Sequence, residues 1–194
     1  MKHLLLTVIG SAVVNNVVLV RQVGLCPLLR GSGSLNRMLR LGLVITAVMT
    51  VGVMASGILR AWILGPWRLF SVAILIYALV ILLISRLAAW AAVRTGWFPA
   101  QTGLVEDMML SAQCVTLAVV LIGTGQYQLG WSSLAFGAGS GLGWTMVAVV
   151  FEPVRRRLDA APVVSSMKGL PLYLVAIGLL ALIGMGLVGA AGIE

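Results

Sequence analysis

Apolar residues fall in six long blocks, separated by short polar or basic stretches. The blocks cover residues 4–23, 39–59, 69–93, 104–122, 131–151 and 170–191. Hydrophobicity runs all the way round each one, which excludes the one-sided pattern of a helix lying on a water-facing surface. A run of about 20 apolar residues crosses the hydrocarbon core as a helix, and in lipid the helix satisfies its own backbone polar groups. The pattern predicts an all-α integral membrane protein with six transmembrane helices. It forms a single membrane domain over residues 1–194, with no room for a soluble domain.

The blocks divide into two halves of three, approximately 1–97 and 98–194, and each half carries one cysteine at its first block: Cys26 and Cys114. Three crossings per half would insert the second half upside down. The expectation is therefore two inverted three-helix repeats, an arrangement that places sites near the midplane and builds them from interrupted helices. The loops set the orientation. One side holds Lys2, Arg60 and Arg68; the other holds Arg21, Arg30, Arg37, Arg40, Arg86, Arg94, Arg155, Arg156, Arg157 and Lys168. The richer side faces the cytoplasm, which puts both termini on the periplasmic side.

Composition agrees with the pattern. The chain is 61% hydrophobic and 9% charged, against about 45–50% and about 25% for soluble domains. The net charge of +8 comes from short loops rather than a basic stripe, so the partner it implies is the lipid bilayer and not nucleic acid. Met1-Lys2-His3 before an apolar run has the outline of a removable leader, but Asn15-Asn16, Arg21 and five further blocks argue for a retained helix.

Candidate chemistry is sparse. Cys26 lies in Gly24-Leu25-Cys26-Pro27. Glycine permits unusual backbone angles there, and Pro27 removes a donor and disfavours helix at Cys26, so a helix break is expected beside the sulfur, with backbone N–H groups exposed near it. Cys114, in Gln113-Cys114-Val115, reads as lying well inside the fourth block. Two thiols are half of a four-thiolate [2Fe–2S] site, the makings of a disulfide, or two inert small hydrophobes. Hydropathy puts Cys26 near the cytoplasmic end and Cys114 nearer the middle, so a shared site requires the first or fourth helix to be broken. His3 is the only histidine and reads as interfacial.

Asn15 and Asn16 sit within the first block, where polar groups are costly and often functional. Glu106-Asp107 begins the fourth block, either as a solvated helix start or as a cation-entry site. Glu152, followed by Arg155-Arg156-Arg157, reads as a helix end meeting the cytoplasm. Gly137, Gly139, Gly141 and Gly143 lie in an apolar helix with no strand before them, so they form no dinucleotide fingerprint. Their small-xxx-small spacing predicts a helix contact, and Gly178, Gly184, Gly186 and Gly189 repeat the theme in the last block. No catalytic triad, phosphate loop or metal-binding helix motif is present.

Val14-Asn15-Asn16-Val17-Val18-Leu19-Val20 followed by Gly24-Leu25-Cys26-Pro27 resembles the first helix of the Rnf and Nqr membrane subunits. The likeness returns at Leu41-Gly42-Leu43, Phe136-Gly137 to Gly143-Trp144, Arg155-Arg156-Arg157-Leu158 and the glycine-rich end, covering essentially the whole chain. Within that family, the length and compact C-terminal half look more like RnfA or NqrE than RnfE. The resemblance implies a subunit without independent activity in a redox-driven, ion-translocating oxidoreductase of the bacterial inner membrane. Electrons would pass between ferredoxin and NAD, or from NADH to quinone in the Nqr case, coupled to Na⁺ or H⁺ movement. It also implies a [2Fe–2S] cluster shared with an RnfE-like homologue inserted the other way up, alongside RnfB, RnfC, RnfD and RnfG. Carried over by position, the cluster ligands are Cys26 and Cys114, with Asn15, Asn16 and Gln113 as polar neighbours.

The chain departs from the family pattern around the second cysteine. Met108 stands where the family has proline, Gln113 where it has asparagine, and Glu106-Asp107 where it is apolar. The stretch from Ile84 to Trp90 lacks an acidic residue expected in the family. Two rival readings remain: a small secondary transporter, and a membrane scaffold with incidental cysteines.

Overall fold

The computed structural model describes residues 23–30, 34–64, 70–96, 112–126, 130–162 and 168–190. The first apolar block up to residue 22, with His3, Asn15 and Asn16, lies outside the described residues, as do Glu106, Asp107 and Met108. The described residues are helical throughout: α1 Leu25–Arg30, α2 Leu35–Leu59, α3 Phe70–Arg94, α4 Gln113–Gln126, α5 Trp131–Asp159 and α6 Leu170–Ala190. A single π-helical turn, Arg60–Leu64, extends α2. Three stretches are long and apolar enough to cross a membrane: Leu35–Trp62, Val72–Arg94 and Trp131–Asp159. Two shorter apolar helices, Gln113–Gly125 and Leu170–Gly186, accompany them.

The core is the contact between α2 and α5, and it exists because glycine lets the two backbones meet. A Cβ on Gly137 would lie 3.0 Å from the Thr50 Cα, and one on Gly141 only 2.6 Å from the Thr46 Cα. The small-residue spacing thus marks a real helix seam. Across it, the Thr46 and Thr145 hydroxyls lie 3.3 Å apart, and each donates to the carbonyl one turn back in its own helix. The glycines of α6 behave otherwise. Among the described residues, a Cβ on Gly178, Gly186 or Gly189 would meet nothing within 4 Å, so the spacing marks no seam between described helices there.

α3 and α6 are one-sided. On α3, Ala73, Tyr77, Ile81, Ser85, Ala89 and Ala92 face inward at steps of three and four, while Leu75, Leu79, Leu83 and Trp90 are exposed. α6 buries Tyr173, Ile177 and Ala181 and exposes Leu182 and Ile183. In water such surfaces would drive aggregation; in a bilayer they are the solvent-facing side.

α5 runs eight residues beyond the end of its apolar block, through Pro153 to Asp159. Glu152 is therefore not a helix end. It is buried inside the helix and ion-paired to Arg156 one turn on, at 3.6 Å. That pairing, with half-exposed Arg156 beyond it, offsets the charge burial that would otherwise end the helix there. The opposite end of α2 is tied to α4 by Arg60, which donates to the Thr124 carbonyl.

Candidate functional site: a paired-thiol centre

The two cysteines, 88 residues apart in sequence, stand with their sulfurs 4.0 Å apart, and both are exposed at the surface of the chain. A disulfide requires about 2.05 Å, so the pair is a dithiol. Hydropathy placed the cysteines at different depths. They meet because each is the second residue of its helix: α1 begins at Leu25 and α4 at Gln113. Cys114 is thus at a helix start and not well inside a helix.

The break expected at Cys26 falls two residues earlier, at Gly24, whose φ of 87° is in the left-handed region. Cys26 itself is helical. Pro27 is tolerated as the third residue of α1, where its missing N–H has no acceptor within the helix. The left-handed turn lets the chain enter α1 while lying against α4. A Cβ on Gly24 would lie 2.5 Å from the Val115 Cβ and 3.2 Å from the Trp144 Nε1. The Trp144 indole N–H donates to the Gly24 carbonyl at 3.2 Å. On the other side, the Gln113 amide nitrogen donates to Ser85 on α3, and the Ser85 hydroxyl donates on to the Leu82 carbonyl. The cysteine pair is therefore held by residues from α3, α4, α5 and the turn before α1.

Trp144 and Ser85 were not among the site residues that the sequence suggested. A signal for Trp144 was available: an indole N–H in an apolar helix has to find an acceptor. Ser85 carried none, since a serine in a membrane helix is ordinarily satisfied by its own backbone.

Gly24→Ala should lower thermal stability in detergent by about 2 kcal/mol or more, from left-handed strain and overlap with Val115. Gly96 is the matched control. Its φ is 70°, but nothing lies within 4 Å of an added Cβ, so Gly96→Ala should show the strain alone. Equal losses at the two positions would mean that the Gly24–Val115 approach is not tight.

A chelate of two thiolates on one tetrahedral metal places the sulfurs about 3.8 Å apart, from a metal–sulfur distance of about 2.3 Å. The observed 4.0 Å matches that span. Among the described residues no group of three or more His, Cys, Asp or Glu gathers to hold a metal ion. The pair can serve as two ligands and leaves the rest of a coordination sphere to groups outside those residues.

Comparison with known proteins matches residues 4–193 to the family described as Rnf-Nqr subunit, membrane protein. Among similar proteins is the A-type subunit of the ion-translocating oxidoreductase complex of Syntrophotalea carbinolica, 32% identical over 189 residues, with 97% of this chain and 98% of the relative covered. The corresponding protein of Aromatoleum aromaticum is 35% identical over 184 residues, covering 95% of each chain. That of Aeromonas hydrophila is 29% identical over 191 residues, covering 97% of this chain and 98% of the relative.

Proposed function

The chain belongs to the Rnf-Nqr family of membrane subunits, and from that premise we propose that it is the A-type membrane subunit of an ion-translocating electron-transport complex. Cys26 and Cys114 supply two thiolates of a [2Fe–2S] cluster, and a homologous subunit in the opposite orientation supplies the other two. The observation that carries this reading is the thiol pair, 4.0 Å apart and open at the protein surface. A structural disulfide would be shorter and an incidental buried thiol would be covered. Bound there, the cluster supplies a one-electron relay between the two faces of the membrane.

The chain's own residues prepare the site in three ways. The start of α4 places the positive end of a helix at Cys114, which suits a metal-bound thiolate. The Gln113–Ser85 contact holds that first turn against α3. Apolar surroundings keep bulk water from the inner side: Val115 and Val119 are fully buried. Asn15 and Asn16 are proposed as further polar neighbours that temper the negative charge of a thiolate-bound centre in a low-dielectric medium. The same proposal takes in six crossings in two inverted halves, both termini on the periplasmic side of the inner membrane, and coupling of electron flow to Na⁺ or H⁺ movement in the complex.

Iron quantification on the isolated complex tests the assignment. The pair formed by this chain and its homologue should carry about two iron atoms. A pair that assembles without iron would sink the cluster reading and return the transporter and scaffold readings.

A further inference from the structure

We propose that Trp144 is the positioning residue that sets the spacing of the Cys26 and Cys114 thiols. Its consequence for a cluster rests on the function proposed above; the geometry does not. Trp144 lies in the glycine-rich stretch of α5, is 1% exposed, and reaches 120 positions back along the sequence to the Gly24 carbonyl. Gly24 precedes Cys26 by two residues, and Val115 follows Cys114 by one. The indole therefore grips the backbone on one side of the thiol pair and presses it onto the side chain that flanks the other.

Two features make this grip decisive. α1 has only six residues, too few to hold a position by its own helical stability, so tertiary ties place Cys26. Those ties include the Leu28 side chain, 1% exposed, the packing of Val23, Leu25 and Leu29 against the core, and the Trp144 hydrogen bond. Of these, the Trp144 hydrogen bond acts on the backbone just before the cysteine. The α5 glycines provide the depth: with Gly137 and Gly141 against α2, the helix sits close enough for a full-size indole to be buried at the turn. Phenylalanine at 144 would keep most of the ring and leave the Gly24 carbonyl without its donor.

The test uses the full chain in its membranes, stripped of iron by chelator and fully reduced. Phenylarsine oxide closes a ring on two neighbouring thiols, forming two As–S bonds and releasing water; capture is read as protection of both cysteines from maleimide. Wild type should capture readily, and Cys26→Ser or Cys114→Ser should abolish it. Trp144→Phe should slow capture about tenfold, the effect of losing one buried hydrogen bond. Site-specific benzothienylalanine at 144, which keeps the bicyclic ring and lacks the N–H, should slow it as much. Trp131→Phe, at an exposed tryptophan, should leave the rate unchanged. In the assembled complex, both 144 variants should shift the line shape of the cluster's EPR signal.

Wild-type capture rates in both 144 variants would overturn the proposal, and so would a wild-type chain that captures no arsenic. Slowed capture in a complex shown to hold no iron would instead overturn the cluster reading and leave the clamp standing. Should Trp144→Phe fail to accumulate, the isosteric variant decides.

Discussion

On the proposed function, Cys26→Ala and Cys114→Ala should each remove the optical and EPR signals of the proposed cluster from the purified complex and stop electron flow through it. Loss is expected to be all-or-none. With the sulfurs 4.0 Å apart, the two thiols act as one chelate, and a single remaining thiolate holds one corner of a site that needs two from this chain. Among the described residues no third His, Cys, Asp or Glu gathers with the pair to replace either. Each alanine should leave insertion and assembly intact, because both side chains are exposed and contribute little to the core. Retention of the full signal in both variants would sink the assignment, whereas loss of the protein from the complex would show that the pair is structural.

Gly141→Leu should prevent the chain from accumulating in the membrane. The Cβ alone would stand 2.6 Å from the Thr46 Cα. That neighbour is backbone in the middle of α2, so the two central helices must separate. The cost is about 3 kcal/mol or more, a large share of the roughly 5–15 kcal/mol that holds a typical fold. Separation would also break the Thr46–Thr145 contact. Gly178→Leu makes the same chemical change on α6, where nothing among the described residues lies within 4 Å of an added Cβ, and should leave abundance and detergent melting temperature nearly unchanged. Immunoblots of membranes together with thermal unfolding in detergent separate the two positions. Comparable behaviour would mean that the α2–α5 seam does not carry the fold.

The helices were legible wherever hydrophobicity alone decides. α3 and α6 start and stop within a residue of the apolar blocks 69–93 and 170–191, because lipid rewards apolar surface on every side of a helix. Boundaries failed where polar residues continue a helix. Ser34 to Arg40 mixes arginine, asparagine and serine, yet α2 starts at Leu35; Glu152, Pro153 and three arginines look like a terminus, yet α5 runs on to Asp159. Both overruns lie at the edges of the apolar blocks, where the exposed arginines cost the helix little and buried Glu152 is paired with Arg156.

Glycine spacing predicted the α5 seam correctly, whereas Gly178, Gly186 and Gly189 of α6 meet no partner among the described residues. Spacing reports that a helix can be approached closely; it does not report that a partner within the same chain does so. The thiol pair was the least legible feature. Sequence separation of 88 residues carries no distance, and hydropathy placed the two cysteines at different depths. What brings them together is a left-handed glycine, a helix that starts one residue before Cys114, and an indole from a third helix. Of these, Gly24, two residues before Cys26, and the indole N–H of Trp144, which has to find an acceptor in an apolar helix, left a trace in the sequence.

The Trp144–Gly24 hydrogen bond also fixes an order of events during synthesis. Its two ends are 120 residues apart, so at about 5–20 residues per second Trp144 leaves the ribosome about 6–24 s after Gly24. Throughout that interval Cys26 is already made while the tryptophan that fixes its place is not. The thiol pair is thus completed only once α5 has been made, and a metal held there, on the function proposed above, would load after α5 has entered the membrane and not while Cys26 alone is in place.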